Sequence, residues 1–326
     1  MTRRSFLACG ATAFAARAPK RSALGVATTS YMTVRRFTDT IEFLDHCDKL
    51  GAAGVQTTLT SIEPEYLDRV KSRLQQTGMY IEVMAPLPQV DMTGFIAMVE
   101  AAKRVDAACL RSRCLSGRRY ETFSTLSEWR KFVADSKAAL SRAVTIADKL
   151  RLPLALENHK DWTLDEMLKL LKSYSSPYLG VCLDTGNNIS LLDDPMEVVR
   201  KLAPYALSVH VKDVGVGLYR DGFLLSEVPI GDGFLNIPEI VAIVRKQRPS
   251  TRLLLEMITR DPLAVPVFTD KYRATFPERN GLYLARTMRM VHANHTKLPL
   301  LSVLPKAKQL DLEEANVQKC LAAMPG

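Results

Sequence analysis

Four short apolar runs in this chain each stop at, or carry, a residue that can hold a hard metal ion or move a proton. LPLALEN brings Glu157, LGVCLD ends on Asp184, LSVHVKD carries His210 and RLLLEM carries Glu256. Asp184 lies 27 residues after Glu157, and His210 lies 26 after Asp184. That interval is one strand-plus-helix unit of a barrel whose active site sits where its strands end. Glu256 follows His210 by 46 residues, longer by about one extended loop, which the Gly-rich stretch 213–233 fills. Three carboxylates and an imidazole from consecutive strand ends would converge on one mouth. We read them as a metal site.

The rest of the chain repeats the same unit. ALGVATTSY (23–31), GVQTTL, MYIEVMAPL and ACLRSRC read as four earlier strands, for eight in all. Amphipathic segments separate them. The first follows a Thr38 cap and ends at Gly51; PEYLDRVKSRLQQTG also ends in glycine, and the eighth is ERNGLYLARTMRMVHANH. Short apolar runs without alternation are the mark of parallel strands covered on both faces. Eight of them predict a closed (β/α)8 TIM barrel over 23–295, with a C-terminal helical extension over 296–326 packed on it. A doubly wound nucleotide-binding sheet is disfavoured, because no GxGxxG follows the first strand. Two loops stand out by length. Residues 213–233 carry a hairpin signal at Arg220-Asp221-Gly222, and 259–277 are rich in proline and aromatics. Both should leave the catalytic face and could close over a substrate.

The N-terminus, TRRSFLACGATAFAARA, pairs two arginines with a short apolar run and an A-x-A-like site at 16–18. Residues 1–18 resemble a twin-arginine export signal, so the expected location is the bacterial periplasm. No later run approaches the roughly 20 apolar residues of a membrane span. Arg3, Arg4 and Arg17 supply three of the net +9 charges, and the remainder is scattered. The densest cluster, RSRCLSGRR at 111–119, reads as a solvated rim with an anion-binding patch as the second reading. Nothing here calls for nucleic acid. Cys47, Cys109, Cys114, Cys182 and Cys320 show no CxxC spacing, and Cys182 reads as a small core residue.

ENH, CLDTGN, SVHVKD and LLLEM, in that order and spacing, resemble the xylose-isomerase-like TIM-barrel superfamily, within it the sugar phosphate isomerase/epimerase group. The resemblance implies one divalent cation held by Glu157, Asp184, His210 and Glu256. Manganese comes first, with cobalt, magnesium or zinc as alternatives. It also implies an enzyme acting at a carbon beside a carbonyl, on a small sugar or keto-sugar, in a chain that could form a homo-oligomer. The pattern is incomplete. Ketose 3-epimerases carry a histidine three residues after the metal-binding aspartate, where this chain has Asn187. They also carry an arginine downstream of the metal-binding histidine, for which Arg220 is only a remote candidate.

The residue types suit that chemistry. Carboxylates with one imidazole favour Mn²⁺ or Mg²⁺. Glu157 and Glu256 would be the catalytic pair, one taking a proton from one face of a carbon and the other returning one. His159, Asn187 and Lys212 are the candidate substrate contacts. Each has a plain alternative: a local hydrogen bond for His159, a tight turn for Asn187, and an ion pair with Asp213 for Lys212. Glu82 could join the pocket from the third strand. His46, His292 and His295 read as surface or packing residues. Isomerisation or epimerisation through an enediolate is the expected function. The alternatives are a metal-dependent lyase or dehydratase on 3-keto-glycosides or inososes and, more remotely, a non-catalytic carbohydrate-binding barrel.

Overall fold

The structure, a computed structural model, describes residues 21–326. The segment with the export-signal pattern lies outside the described residues. In chain order the strands are β1 (Gly25–Ala27), β2 (Gly54–Thr57), β3 (Tyr80–Met84), β4 (Leu110–Ser112), β5 (Leu154–Glu157), β6 (Leu179–Asp184) and β7 (Ala206–Val211). The hairpin β8 (Asp213–Tyr219) and β9 (Gly222–Val228) follows, then β10 (Arg252–Leu255) and β11 (Leu263–Val265). Strands β1 to β7 and β10 pair in parallel, each with its predecessor, and β10 closes on β1 through Leu255 beside Val26. This is the expected eight-stranded barrel.

Side chains sort by face. Val55, Ile81, Val83, Leu156, Val181, Val209 and Leu253 join the large apolar core under the helices. Cys109, Ala155 and Cys182 form a separate small cluster. Gln56, Glu82 and Ser208 are hydrogen-bonded across the barrel interior. The lumen is therefore filled by small and polar groups, not by the bulky aliphatics that usually dominate barrel interiors.

The helices start and stop where local chemistry dictates. Asp39, not the expected Thr38, caps the helix Thr40–Lys49, accepting from the amides of Ile41 and Glu42. Both residues can cap, but Asp39 is the one that immediately precedes the first helical residue, where its Oδ1 meets both amides. Thr125 with Glu128 and Thr163 with Glu166 form capping boxes on Leu126–Leu150 and Leu164–Lys172. Gly51 (φ 73°) and Gly78 (φ 66°) supply the left-handed turns that end the first two helices.

The last two helices differ from expectation in where they lie. Helix Gly281–Asn294 leads into Thr296, whose amide donates to Val216 O of β8 (2.9 Å), so it sits with the hairpin. The place beside β10 goes to Lys306–Ala323. Its Glu314 meets His46 of the first helix at 3.3 Å, and its Lys319 meets Asp232 at 2.6 Å. Periodicity alone does not say which neighbour each covers. Between β10 and these helices the chain leaves the barrel sheet, since β11 pairs with β9. Among the described residues no helix is long and apolar enough to cross a membrane.

Tyr80 ties the strands together at the end of the barrel opposite the site. Its hydroxyl donates to Leu253 O of β10 (2.8 Å) and accepts from Gly25 N of β1 (3.2 Å). The side chain reaches that far only because β1 and β2 carry glycines. A Cβ on Gly54 would lie 2.5 Å from the Tyr80 ring and 2.6 Å from its carbonyl oxygen. Gly54→Ala should therefore lower unfolding stability by about 1–3 kcal/mol. Gly94→Ala, in a helix with nothing within 4 Å of the new methyl, should be neutral or stabilise by up to about 1 kcal/mol. Denaturant melts of the two variants check this.

Candidate metal centre

The four residues singled out in the sequence meet at the C-terminal mouth of the barrel. Glu157 ends β5, Asp184 ends β6, His210 lies in β7 and Glu256 follows β10. Parallel registers place Asp184 beside His210 and His210 beside Leu254, so the strand ends stand level. One ligand atom from each of the four lies within 4.8 Å of the others, and all four residues are buried. His210 Nδ1 is 3.8 Å from Glu157 Oε1, 3.6 Å from Asp184 Oδ2 and 3.5 Å from Glu256 Oε2.

The imidazole is oriented from below. Gln56 Nε2 donates to Glu82 Oε2 (2.9 Å), which turns Gln56 Oε1 toward His210 Nε2 at 2.8 Å. With Nε2 as the donor in that contact, the Nδ1 lone pair faces the carboxylates. Ser208 Oγ donates to the same oxygen of Glu82 (2.6 Å). Glu82 thus lies beneath the cluster, where burial pushes its carboxyl up. It supports the site from below instead of lining a pocket.

Each carboxylate is fixed by groups outside the quartet. Arg111 of β4 donates through Nη2 to Glu157 Oε2, and Asn187 Nδ2 donates to Glu157 Oε1 at 3.2 Å. Asp184 Oδ1 accepts the amides of Gly186 (2.9 Å) and Asn187 (2.8 Å), while Oδ2 has no partner in hydrogen-bond geometry. Thr29 Oγ1 donates to Glu256 Oε1 at 2.7 Å. Lys212 Nζ stands 2.5 Å from Glu256 Oε2 and 2.9 Å from Asp184 Oδ2. Burial works against the Lys212 charge, but Asp184, Glu256 and Glu227 outweigh it and hold the ammonium well above its usual range. Burial likewise raises Glu256, yet Lys212 and His210 keep it well below the ordinary carboxylate range.

Lys212 is therefore placed by the quartet. Asp213, the alternative partner, instead accepts the amides of Val214, Gly231, Gly233 and Leu235. Asn187 joins the cluster too, its Oδ1 accepting from Lys160 Nζ and from Lys212 Nζ (3.3 Å). His159 is half-buried close to the quartet. Burial, then the charges of Lys160, Arg113, Arg111 and Lys212, hold its ring well below the usual imidazole range, hence neutral. Arg220 is at the hairpin tip with 89% of its side chain exposed, paired to Asp221 and away from the centre. His46 bonds Tyr31 (3.1 Å), and His292 is exposed on its helix.

Other residues enter that spacing did not single out. Gln56 and Arg111 are polar residues inside strand runs covered on both faces, a readable sign that each needs a buried partner. Glu227 carried no such sign. Hairpin pairing turns it inward, where Arg260 clamps it through Nη2 (2.8 Å) and Nε (3.2 Å). Burial alone would raise Glu227, but Arg260, Lys212 and Lys160 bring it down to about 2. Lys160 goes the other way: burial and then the Lys212 charge lower it to about 7, so near neutral pH it can exchange a proton.

The donors fit a hard divalent cation. Three carboxylates and one oriented imidazole nitrogen point at one place, and both Asp184 Oδ2 and His210 Nδ1 are buried without a hydrogen-bond partner. Sulfur is absent from the set, which disfavours a structural zinc site.

Comparison with known proteins agrees with the fold. The family model described as xylose isomerase-like TIM barrel matches residues 44–276. The 3-oxo-isoapionate decarboxylase of Pectobacterium atrosepticum is 24% identical over 200 residues, covering 60% of this chain and 68% of that protein. A xylose isomerase-like TIM barrel protein from Mycobacterium smegmatis, solved in complex with magnesium, superposes with a TM-score of 0.58. It is 14% identical, over 83% of this chain and 99% of that one. A D-tagatose 3-epimerase-like protein superposes with a TM-score of 0.54 at 17% identity, over 82% and 99%. These two share the fold.

The Gln56 contact gives a direct test. Gln56→Met removes the acceptor that selects the His210 tautomer while keeping a similar volume. Manganese affinity, titrated calorimetrically into stripped protein, should fall roughly 10- to 100-fold. Unchanged affinity would mean that Gln56 does not set the ring.

Proposed function

The chain belongs to the xylose isomerase-like TIM-barrel family, and from that premise and its site geometry we propose a metal-dependent enzyme that isomerises or epimerises a keto-sugar. The observation that carries the proposal is two fixed carboxylates, Glu157 and Glu256, at the ends of strands β5 and β10, converging on one cation-sized cluster beside an ammonium group. A carbohydrate-binding module has no use for such a pair.

Glu157, Asp184, His210 and Glu256 would hold one divalent ion, with manganese or magnesium best matched to the donors. When bound, the ion supplies Lewis-acid stabilisation of negative charge developing on a carbonyl oxygen. The residues do the rest. One glutamate removes the proton from the carbon beside the carbonyl, and the other returns a proton to it or to its neighbour. Lys212, kept charged by its three carboxylates, adds electrostatic stabilisation to the enediolate. Asn187 and His159 would contact substrate hydroxyls, and the β8–β9–β11 sheet would exclude water from one side of the mouth.

The second reading is a lyase. The same proton removal expels a β-substituent, and a 3-oxo acid could lose carbon dioxide at such a centre. The match to a decarboxylase is the specific reason to retain it.

Keto-sugars incubated with manganese-loaded protein in deuterated water separate these readings. The proposal expects intact sugar carrying deuterium beside the carbonyl. Glu157→Gln should lower the exchange by about 10²–10⁴-fold while sugar binding persists. Release of an aglycone, water or carbon dioxide would favour the lyase. Tight sugar binding without any turnover would favour a binding module.

A further inference from the structure

A cavity of about 540 Å³ opens over β1 to β4 and reaches the candidate centre. Its lining includes Thr29 and Arg111, the two residues bonded to Glu256 and Glu157, so a molecule filling it abuts the groups that hold both carboxylates. The volume lies within the roughly 300–1,000 Å³ usual for small-molecule sites. Met84, Leu87 and Phe132 give it apolar walls, and Thr58, Gln89 and Ser136 add polar ones. Arg113 projects from the loop after β4 as a further lining residue.

Arg113 is half-buried and has neither a hydrogen bond nor an ion pair with any described residue. Three other arginines of this end of the barrel are engaged: Arg111 with Glu157, Arg119 with Glu166 and Arg260 with Glu227. The carboxylates that act on Arg113 electrostatically are Glu256 and Asp161. Both are already held, Glu256 by Thr29 and Lys212, and Asp161 by the amides of Leu115 and Trp162. Asp135, on the same cavity, pairs with Lys131 at 2.7 Å. A guanidinium that is partly removed from water and left without an anion is costly unless a ligand completes it. The surrounding charge points the same way. Arg111, Arg113, Lys160, Lys212 and Arg260 face Glu157, Asp161, Asp184, Glu227 and Glu256, five against five, and a divalent cation would tip that balance to positive.

We propose that Arg113 binds an anionic group, a carboxylate or a phosphate, carried by the substrate at the end away from the metal. The substrates are then sugar acids or sugar phosphates, not neutral keto-sugars. Guanidinium forks match either group bidentately, which suits recognition of an end group that does not react. The inference rests on the quartet being the reaction centre.

Manganese-loaded protein would be titrated calorimetrically with gluconate, glucose 6-phosphate and sorbitol, and its manganese affinity measured on the same samples. One of the two anions should bind at least about tenfold tighter than sorbitol, a difference of about 1.4 kcal/mol. Tighter gluconate identifies the sugar-acid class and tighter glucose 6-phosphate the phosphate class. Arg113→Met should bring that anion down to the level of sorbitol, Arg113→Lys should retain part of the preference, and neither should alter manganese affinity. No preference for either anion in the parent, or a preference that survives Arg113→Met, overturns the proposal. A parent that fails to bind manganese would instead overturn the reading of the quartet.

Discussion

The mouth of this barrel is governed by the burial of three carboxylates in one place. Glu157, Asp184 and Glu256 are at most 3% exposed and converge on a single imidazole. Removing such groups from water costs several kcal/mol for each ion unless opposite charge and hydrogen bonds replace the solvent. The structure supplies both in alternation. Arg111 holds Glu157, Lys212 lies between Asp184 and Glu256, Glu227 balances Lys212, and Arg260 balances Glu227 at the edge. Lys212 can do this because it is two residues beyond His210 and so points the same way along an extended chain. The hairpin is therefore part of the charge balance as well as a cover, since it carries Glu227.

The same constraint reaches into the barrel. A ligand imidazole needs one defined tautomer, and a polar relay through Gln56 to Glu82 sets it from beneath. That relay occupies the layer where bulky aliphatics would otherwise pack, which explains why the lumen holds Cys109, Ala155, Cys182 and Ser208. Small residues leave room for it.

Much of this was legible in the residues because strand ends are marked twice, by the end of an apolar run and by the polar residue that follows. Eight such runs gave the closed barrel, and four of the polar residues gave the quartet that the fold assembles. Arg220-Asp221-Gly222 marked the hairpin in the same local way. Features set by contact between distant segments were not legible. The pairing of Leu263–Val265 with β9 depends on where the loop after β10 lands, which no local pattern marks. The inward turn of Glu227 depends on hairpin register, where a shift of one residue reverses the face. Arg113 and Arg119 belong to one basic cluster in sequence. One is packed between Trp129 and Phe276, and the other lies on a cavity without a partner.

The site is asymmetric: a cavity opens over β1 to β4, and on the covered side Glu227 of the hairpin stands 3.6 Å from Lys212. Substrate would approach from the open side, while the covered side holds the charges that keep Lys212 an ammonium. All of this presumes that the quartet holds a cation. The most direct measurement is the metal content of the purified protein, by elemental analysis after dialysis against manganese, beside Asp184→Ala. The account predicts about one equivalent of divalent metal in the parent and much less in the variant. A parent that takes up no metal, or a variant that retains it fully, would contradict it and leave the four residues as a buried ionic network.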